Sequence, residues 1–254
     1  MVIKEVLILE FVDYKCLESL LIEGEDIIAT EGFGSAIINI IKNAFRFIKK
    51  FFDIIIGSCR KLIQCIKQKI TKSKNTQVNK EYKSIDVNDI NHFIALVHNL
   101  NIPLKNMISS YIKISNYTIK NEFLSDEDNN NLMKSSREFS SECDKIYDKR
   151  AEIVDKYGDG TYIIMDSYAD KFMYELSNLI KDYQKSEETL NKCADKIDSL
   201  SNEFNSKNNE SSAKLYKSTS ELAKSFSQSI SLVNGSINIV IKIINNSIIL
   251  LDES

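Results

Sequence analysis

The chain has 254 residues, of which 43% are hydrophobic and 27% are charged, so it can bury a sizeable core. Only seven glycines and one proline are present, whereas a β-sandwich or barrel needs a turn about every ten residues. This composition excludes those β folds. We therefore predict an all-α protein that is built from long helices.

The net charge of −3 hides two neighbouring segments of opposite sign. Residues 1–31 hold two lysines and eight acidic residues, so this acidic leader carries −6. Residues 35–74 hold ten lysines and arginines but one acidic residue, which gives +9. Such a basic segment indicates an anionic partner, either DNA or an anionic membrane, which the leader could mask. The alternative is that these cations only form the solvated face of a helix.

Neither a cofactor nor a metal is predicted. The five cysteines have no regular spacing, so no disulfide framework or zinc site is indicated. His92 and His98 lie six residues apart and would point to different helix faces. Residues 155–166 share some positions with a calcium loop, but Tyr157 occupies a ligand position, which favours a simple glycine turn. The common motifs of hydrolases and nucleotide-binding proteins are missing, so we predict that the protein is not an enzyme.

Two apolar stretches of the sequence are candidates for a signal peptide or a membrane span, and polar residues interrupt both. Glu10 and Asp13 interrupt the first apolar run, so a signal peptide is not expected. The best candidate for a membrane span, residues 230–251, contains Lys242 and four asparagines. We therefore expect no spanning helix, and a cytoplasmic location for a protein that is not packaged in a virion.

Residues 32–72 are predicted to form a long amphipathic basic helix. Its apolar residues recur every three or four positions, and its opposite face is almost purely cationic. The candidates for binding an anionic partner are Lys42, Arg46, Lys49, Lys50, Arg60, Lys61, Lys67 and Lys69. The apolar face is predicted either to enter a membrane surface or to pack on a bundle. It includes Phe45, Phe51, Phe52, Ile55 and Ile56.

Polar, aperiodic residues 73–84 are predicted to be a linker, after which residues 85–254 form a helical bundle. Asp86, Asn101 and Ser125 are candidate helix caps within this bundle.

The end of the chain carries the most regular pattern. From Met165 to Phe204 apolar positions alternate spacings of four and three, and the same spacing returns from Leu215 to Leu251. Two long helices joined by a short polar turn form an antiparallel coiled-coil hairpin. We therefore predict an elongated antiparallel bundle of about four helices, preceded by the basic helix.

The leader and its flanking residues resemble part of a known group of proteins. Ala-Thr-Glu-Gly-Phe-Gly at residues 29–34 and Phe-Arg-Phe-Ile-Lys-Lys-Phe-Phe at residues 45–52 follow the acidic leader. This layout, over about residues 17–55, resembles internal head proteins of large tailed bacteriophages, whose leaders a prohead protease removes by cutting after a glutamate. The resemblance implies processing at Ala29, Thr30, Glu31 and Gly32, with Gly24 as a variant start. It further implies a virion structural protein inside the phage head, with other virion proteins and DNA as partners.

Cleavage after Glu31 would remove a charge of −6 and change the net charge from −3 to +3. A cationic helix would then be unmasked beside DNA. Two other functions stay open. The protein could be membrane-active or pore-forming, since long bundles with a hydrophobic helix resemble the α-helical pore-forming toxins, or it could be a coiled-coil scaffold that binds partner helices. Heptads also permit packing between copies, so a homo-oligomer is compatible with the sequence.

Overall fold

The computed structural model describes residues 33–73, 82–120, 125–158, 160–200 and 209–250. Six helices and two short strands occur in these ranges, and the predicted all-α fold is confirmed. The helices are α1 (Phe33–Ser73), α2 (Val87–Asn99), α3 (Asn101–Ile119), α4 (Asp126–Tyr157), α5 (Asp166–Leu200) and α6 (Asn209–Asn246). The strands are β1 (Ile163–Met165) and β2 (Ile248–Leu250).

The helices are distributed over two compact units. Unit 1 takes the described residues of Met1–Phe52, Asn101–Ser141 and Lys185–Ser231. Unit 2 takes those of Asp53–Leu100, Glu142–Gln184 and Leu232–Ser254. Helices α1, α4, α5 and α6 therefore contribute to both units, whereas α3 belongs to unit 1 and α2 to unit 2.

Helix α1 supplies core residues to both units, so it is part of the bundle rather than a separate segment that precedes it. This differs from the predicted domain boundary at residues 73–84. The physical reason is that the apolar stripe of α1 is long enough to serve as core along most of its length. Its stripe residues, each at most 1% exposed, are Ile41, Ala44, Ile48, Phe52, Ile55, Cys59, Leu62 and Ile66.

Hydrogen bonds between side chains show how the helices run within each unit. In unit 2, α1 and α6 run in the same direction, and in unit 1 the same is true of α4 and α6. In each case two side-chain hydrogen bonds join the helices. The second bond lies further toward the C-terminus of both helices than the first, which shows that the two helices are parallel. The pairs are Ser58 with Asn234 and Cys65 with Asn245 in unit 2, and Asn129 with Ser218 and Ser136 with Ser225 in unit 1.

The long heptad patterns correspond to buried seams. In α5 the predicted residues Ala169, Phe172, Leu176, Leu179, Tyr183 and Leu190 are at most 2% exposed. The predicted ends of the two seams are wrong. Met165 lies in β1 and not in α5, and α6 ends at Asn246, so that residues 248–250 form β2.

The strands form a small parallel sheet in unit 2. Ile163 pairs with Ile248, and Met165 pairs with Leu250. Ser84 forms a parallel bridge to Ile163, so the end of the predicted linker is attached to this sheet. Three-residue strands are too short to show an alternating pattern, so the sequence did not predict them.

Two of the three predicted helix caps are confirmed. The Asp86 carboxylate accepts a hydrogen bond from the Asn88 amide at 2.9 Å. Ser125 Oγ accepts one from the amide of Asp128 at 3.3 Å. Asn101 does not cap α3 but lies inside it, where its buried side chain accepts a hydrogen bond from Ser186.

Candidate functional site

Seven of the eight candidate cations, all except Lys69, lie along the side of α1 that faces away from the core, and we call these seven the cationic face of α1. Lys42 and Lys69 are half-buried, and the other six are exposed. Asp53 is also exposed on α1, one residue after the paired phenylalanines. The arrangement follows from amphipathicity, because a helix that buries one stripe in a core turns the opposite stripe to solvent.

In unit 1, the cationic face borders a groove between α1 and α5. The groove has a volume of about 270 Å³ and is lined by Lys42, Phe45, Arg46, Lys49, Leu190, Asn191 and Ala194. Arg46 is partly held in place, since one of its guanidinium nitrogens donates to Asn43 Oδ1 at 3.0 Å. Three cations therefore share one wall of a concave site.

The bottom of this groove is fixed by packing. Phe45 is 5% exposed and Leu190 is 1% exposed. The ring of Phe45 meets that of Tyr111 edge-on, with 6.0 Å between the ring centroids. Tyr111 Oη is in turn hydrogen-bonded to Thr219 Oγ1 at 2.7 Å. The groove is thus a preformed feature of the packed core rather than a gap between mobile surface chains.

In unit 2, Arg60, Lys61 and Lys67 project from α1. Within the described ranges, no carboxylate lies within ion-pair distance of these three side chains. Lys69 differs, because its ammonium donates to the carbonyl of Ser247 at 3.0 Å, just after the end of α6. It therefore supports a helix end, where a cation is favourable, and is less available to an outside partner.

The candidate apolar residues of α1 belong to the bundle. Phe51, Phe52 and Ile55 are 0% exposed, while Phe45 and Ile56 are 5% and 4% exposed. Phe51 packs edge-on against Phe139 in unit 1, with ring centroids 5.5 Å apart. These are the contacts expected of a bundle face. In the part of the chain that the structure describes, no helix is long and apolar enough to cross a membrane.

The proposed processing site, Ala29, Thr30, Glu31 and Gly32, lies outside the described residues.

A cluster around Asp89 in unit 2 escaped the sequence analysis. Its carboxylate accepts hydrogen bonds from Lys149, Lys156 and Tyr157, each at 2.8 Å. Burial alone would raise the pKa of Asp89, but these three donors hold it well below its usual range. The spacing of Lys149 and Lys156, seven residues apart on α4, was the one available signal, because it places both on one helix face. The cluster joins the start of α2 to the end of α4, and we assign it a structural role.

A second groove lies in unit 2, and His98 is among the residues that line it. It has a volume of about 330 Å³ and is lined by Asn91, Ile94, Ala95, His98, Lys171, Glu175, Asn178 and Leu179. His98 Nε2 lies 2.8 Å from Asp182 Oδ2, an exposed contact between α2 and α5. Among the described residues, no three His, Cys, Asp or Glu side chains are grouped so that they could hold a metal ion.

Comparison with protein-family models, with curated protein sequences and with solved structures gave no match. The resemblance to phage internal head proteins therefore stays a prediction.

Proposed function

We propose that this protein is a non-enzymatic virion structural protein of a phage head and that it binds DNA through the cationic face of α1. One observation carries the proposal: α1 buries its apolar stripe in the bundle and turns its cations outward. A helix in this position offers charge without offering apolar surface. That is the requirement for binding a phosphate backbone without regard to sequence.

The same observation favours DNA over a membrane as the partner. Interfacial helices bind by burying their apolar face among lipids. In α1 that face includes Phe51 and Phe52, which are fully buried in the protein. Exposing one such phenylalanine to solvent would lower the stability of the fold by about 2 to 3 kcal/mol. Contacts with phosphates need only the cations, which are already at the surface.

The charge of the leader supports a role in the virion. Residues 1–31 carry −6, which offsets two thirds of the +9 of residues 35–74. Removal after Glu31 would change the net charge from −3 to +3 and strengthen attraction to DNA. A protein made with its leader and trimmed during assembly would bind DNA more tightly inside the maturing particle than before trimming.

Salt-dependent DNA binding tests the proposal. Affinity for duplex DNA, measured by fluorescence anisotropy, should fall linearly on a log–log plot between about 50 and about 200 mM salt. The triple variant Arg60→Gln, Lys61→Gln, Lys67→Gln should lower the slope by about 2 to 3, because each lost phosphate contact contributes about 0.9.

The matched control neutralises three exposed lysines on other helices: Lys105→Gln, Lys113→Gln and Lys181→Gln. It has the same net charge as the test variant and should leave the slope almost unchanged. Equal losses in the two variants would mean that only net charge matters and would contradict a binding face on α1. Dye release from anionic liposomes without salt-sensitive DNA binding would instead favour the membrane-active alternative.

The mass of the protein from its native source tests the virion part. An N-terminus at Gly32 or Gly24 would support processing after glutamate. An intact Met1 would remove the support that the leader gives to phage-head maturation. If neither DNA binding nor dye release occurs, the scaffold that binds partner helices becomes the leading hypothesis.

A further inference from the structure

The two walls of the unit 1 groove differ in chemistry: the α1 wall carries positive charge, and the α5 wall is uncharged and offers hydrogen bonds. Its α1 wall carries Lys42, Arg46 and Lys49, whose spacings of four and three place them on one helix face over about 10 Å. Arg46 has five N–H donors, of which one is directed to Asn43. The described residues that line the groove include no carboxylate. This wall therefore suits a phosphate group.

The α5 wall has a different character. It consists of Leu190, Asn191 and Ala194, which carry no charge. The Asn191 amide offers both a donor and an acceptor, the combination with which asparagine pairs with the edges of bases. Ala194 is half-buried and offers a small apolar surface on which a flat ring can rest, whereas Leu190 is buried. This wall therefore suits a nucleobase rather than a second anion.

The size of the groove favours a nucleotide over a lipid. At about 270 Å³ it is smaller than typical pockets for drug-sized ligands. Phe45 and Leu190 close its bottom, and both are held in the core. Among the described residues that line the groove, the apolar side chains of Phe45 and Leu190 are thus packed in the core and leave little surface to an acyl chain.

We infer that this groove binds one unpaired nucleotide of a DNA strand, with its phosphate on Lys42, Arg46 and Lys49 and its base against Asn191 and Ala194. The inference rests on the proposed function, because it assigns a subsite within the same DNA-binding face. In duplex DNA the bases are paired and stacked, so they cannot enter. The protein should therefore prefer single strands or strand ends to intact duplex.

The test compares the full chain bound to an oligothymidylate and to a duplex of equal length, by anisotropy at one low salt concentration. We expect about fivefold to tenfold tighter binding of the single strand. Ala194→Phe would fill the groove while leaving every cation in place. This variant should lose the preference for the single strand and retain the affinity for duplex.

The matched control is Ala151→Phe, which adds the same ring to an exposed position on α4 in unit 2. It should keep the single-strand preference. If Ala194→Phe fails to fold, as judged by circular dichroism, Asn191→Ala replaces it, because Asn191 is exposed and its truncation removes only the base-pairing amide. It should reduce single-strand binding about threefold or more, with duplex binding unchanged.

The outcomes separate the two proposals. Equal affinity for both nucleic acids, unchanged by either groove variant, would overturn the nucleotide subsite and leave the DNA-binding face intact. No binding of either nucleic acid at low salt would overturn both. Binding to phosphatidylglycerol vesicles that Ala194→Phe abolishes, with oligonucleotide binding unaffected, would assign the groove to a lipid headgroup and refute the inference.

Discussion

Replacing Asp89 by asparagine should destabilise unit 2. Asp89 is 17% exposed and receives three donors at 2.8 Å, and the side chain of Lys149 is only 10% exposed. Removing one partner of a buried ion pair costs about 3 to 5 kcal/mol. Lys149 would keep Glu152 at 2.7 Å, so we expect the lower end, about 3 kcal/mol.

Thermal and urea unfolding would measure this loss. For a chain of this length about 3 kcal/mol corresponds to a fall in Tm of about 6 to 12 °C. Asp170→Asn is the matched control, because Asp170 is exposed on α5, and it should change stability by less than about 0.5 kcal/mol. A loss below about 1 kcal/mol for Asp89→Asn would refute the assignment of Asp89 as a structural centre.

The pH dependence gives a second check on Asp89. Its pKa is lower in the folded protein than in the unfolded chain, where it is about 3.9. The charged form therefore stabilises the fold fully above about pH 5, and this contribution is lost as the pH falls below about 4. The difference in unfolding free energy between the original protein and Asp89→Asn should shrink over that range. A difference that is constant down to about pH 3 would contradict the mechanism.

Three further predictions follow from buried side chains. Phe51→Ala should cost about 3 to 5 kcal/mol in urea unfolding, because Phe51 is 0% exposed, and a loss below about 1 kcal/mol would contradict its place in the core. Tyr183→Phe should cost about 1 kcal/mol in the same assay, because it removes a buried hydrogen bond of 2.9 Å to the carbonyl of Val97; no change would show that this bond contributes nothing. Burial raises the pKa of Cys59 to about 12, so peptide mass spectrometry should find it labelled by a maleimide only after unfolding, and rapid labelling of the folded protein would count against its burial.

The sequence was most informative where a pattern repeats over many turns. The stripes of α1, α5 and α6 each persist for several turns, so the alternation of three and four residues identified buried positions correctly. The partner of the α1 stripe was not predictable in this way. A membrane surface and a protein core select the same phenylalanines and isoleucines, and periodicity does not distinguish between them.

Features that depend on distant parts of the chain were missed. Asp89 and Lys149 are 60 residues apart, and the two walls of the unit 1 groove come from α1 and α5. No local spacing relates such residues, because their meeting depends on how whole helices pack. The β1–β2 pair was missed for a related reason, since each strand has three residues and gains its stability from pairing with distant segments of the chain.

The division of α1 into a buried and a charged side ties the fold to the proposed function. A free amphipathic helix with the same sequence could place its phenylalanines in a lipid surface as readily as in a core. Because Phe51 packs on Phe139 and Cys65 donates to Asn245, the apolar side of α1 is buried against other helices within each unit. Within each unit the cations then project from a packed helix, whose backbone has less freedom to lose when they meet a phosphate backbone. Packing in the bundle thus leaves the cations of α1 at the surface, as the proposed binding to an anionic polymer requires.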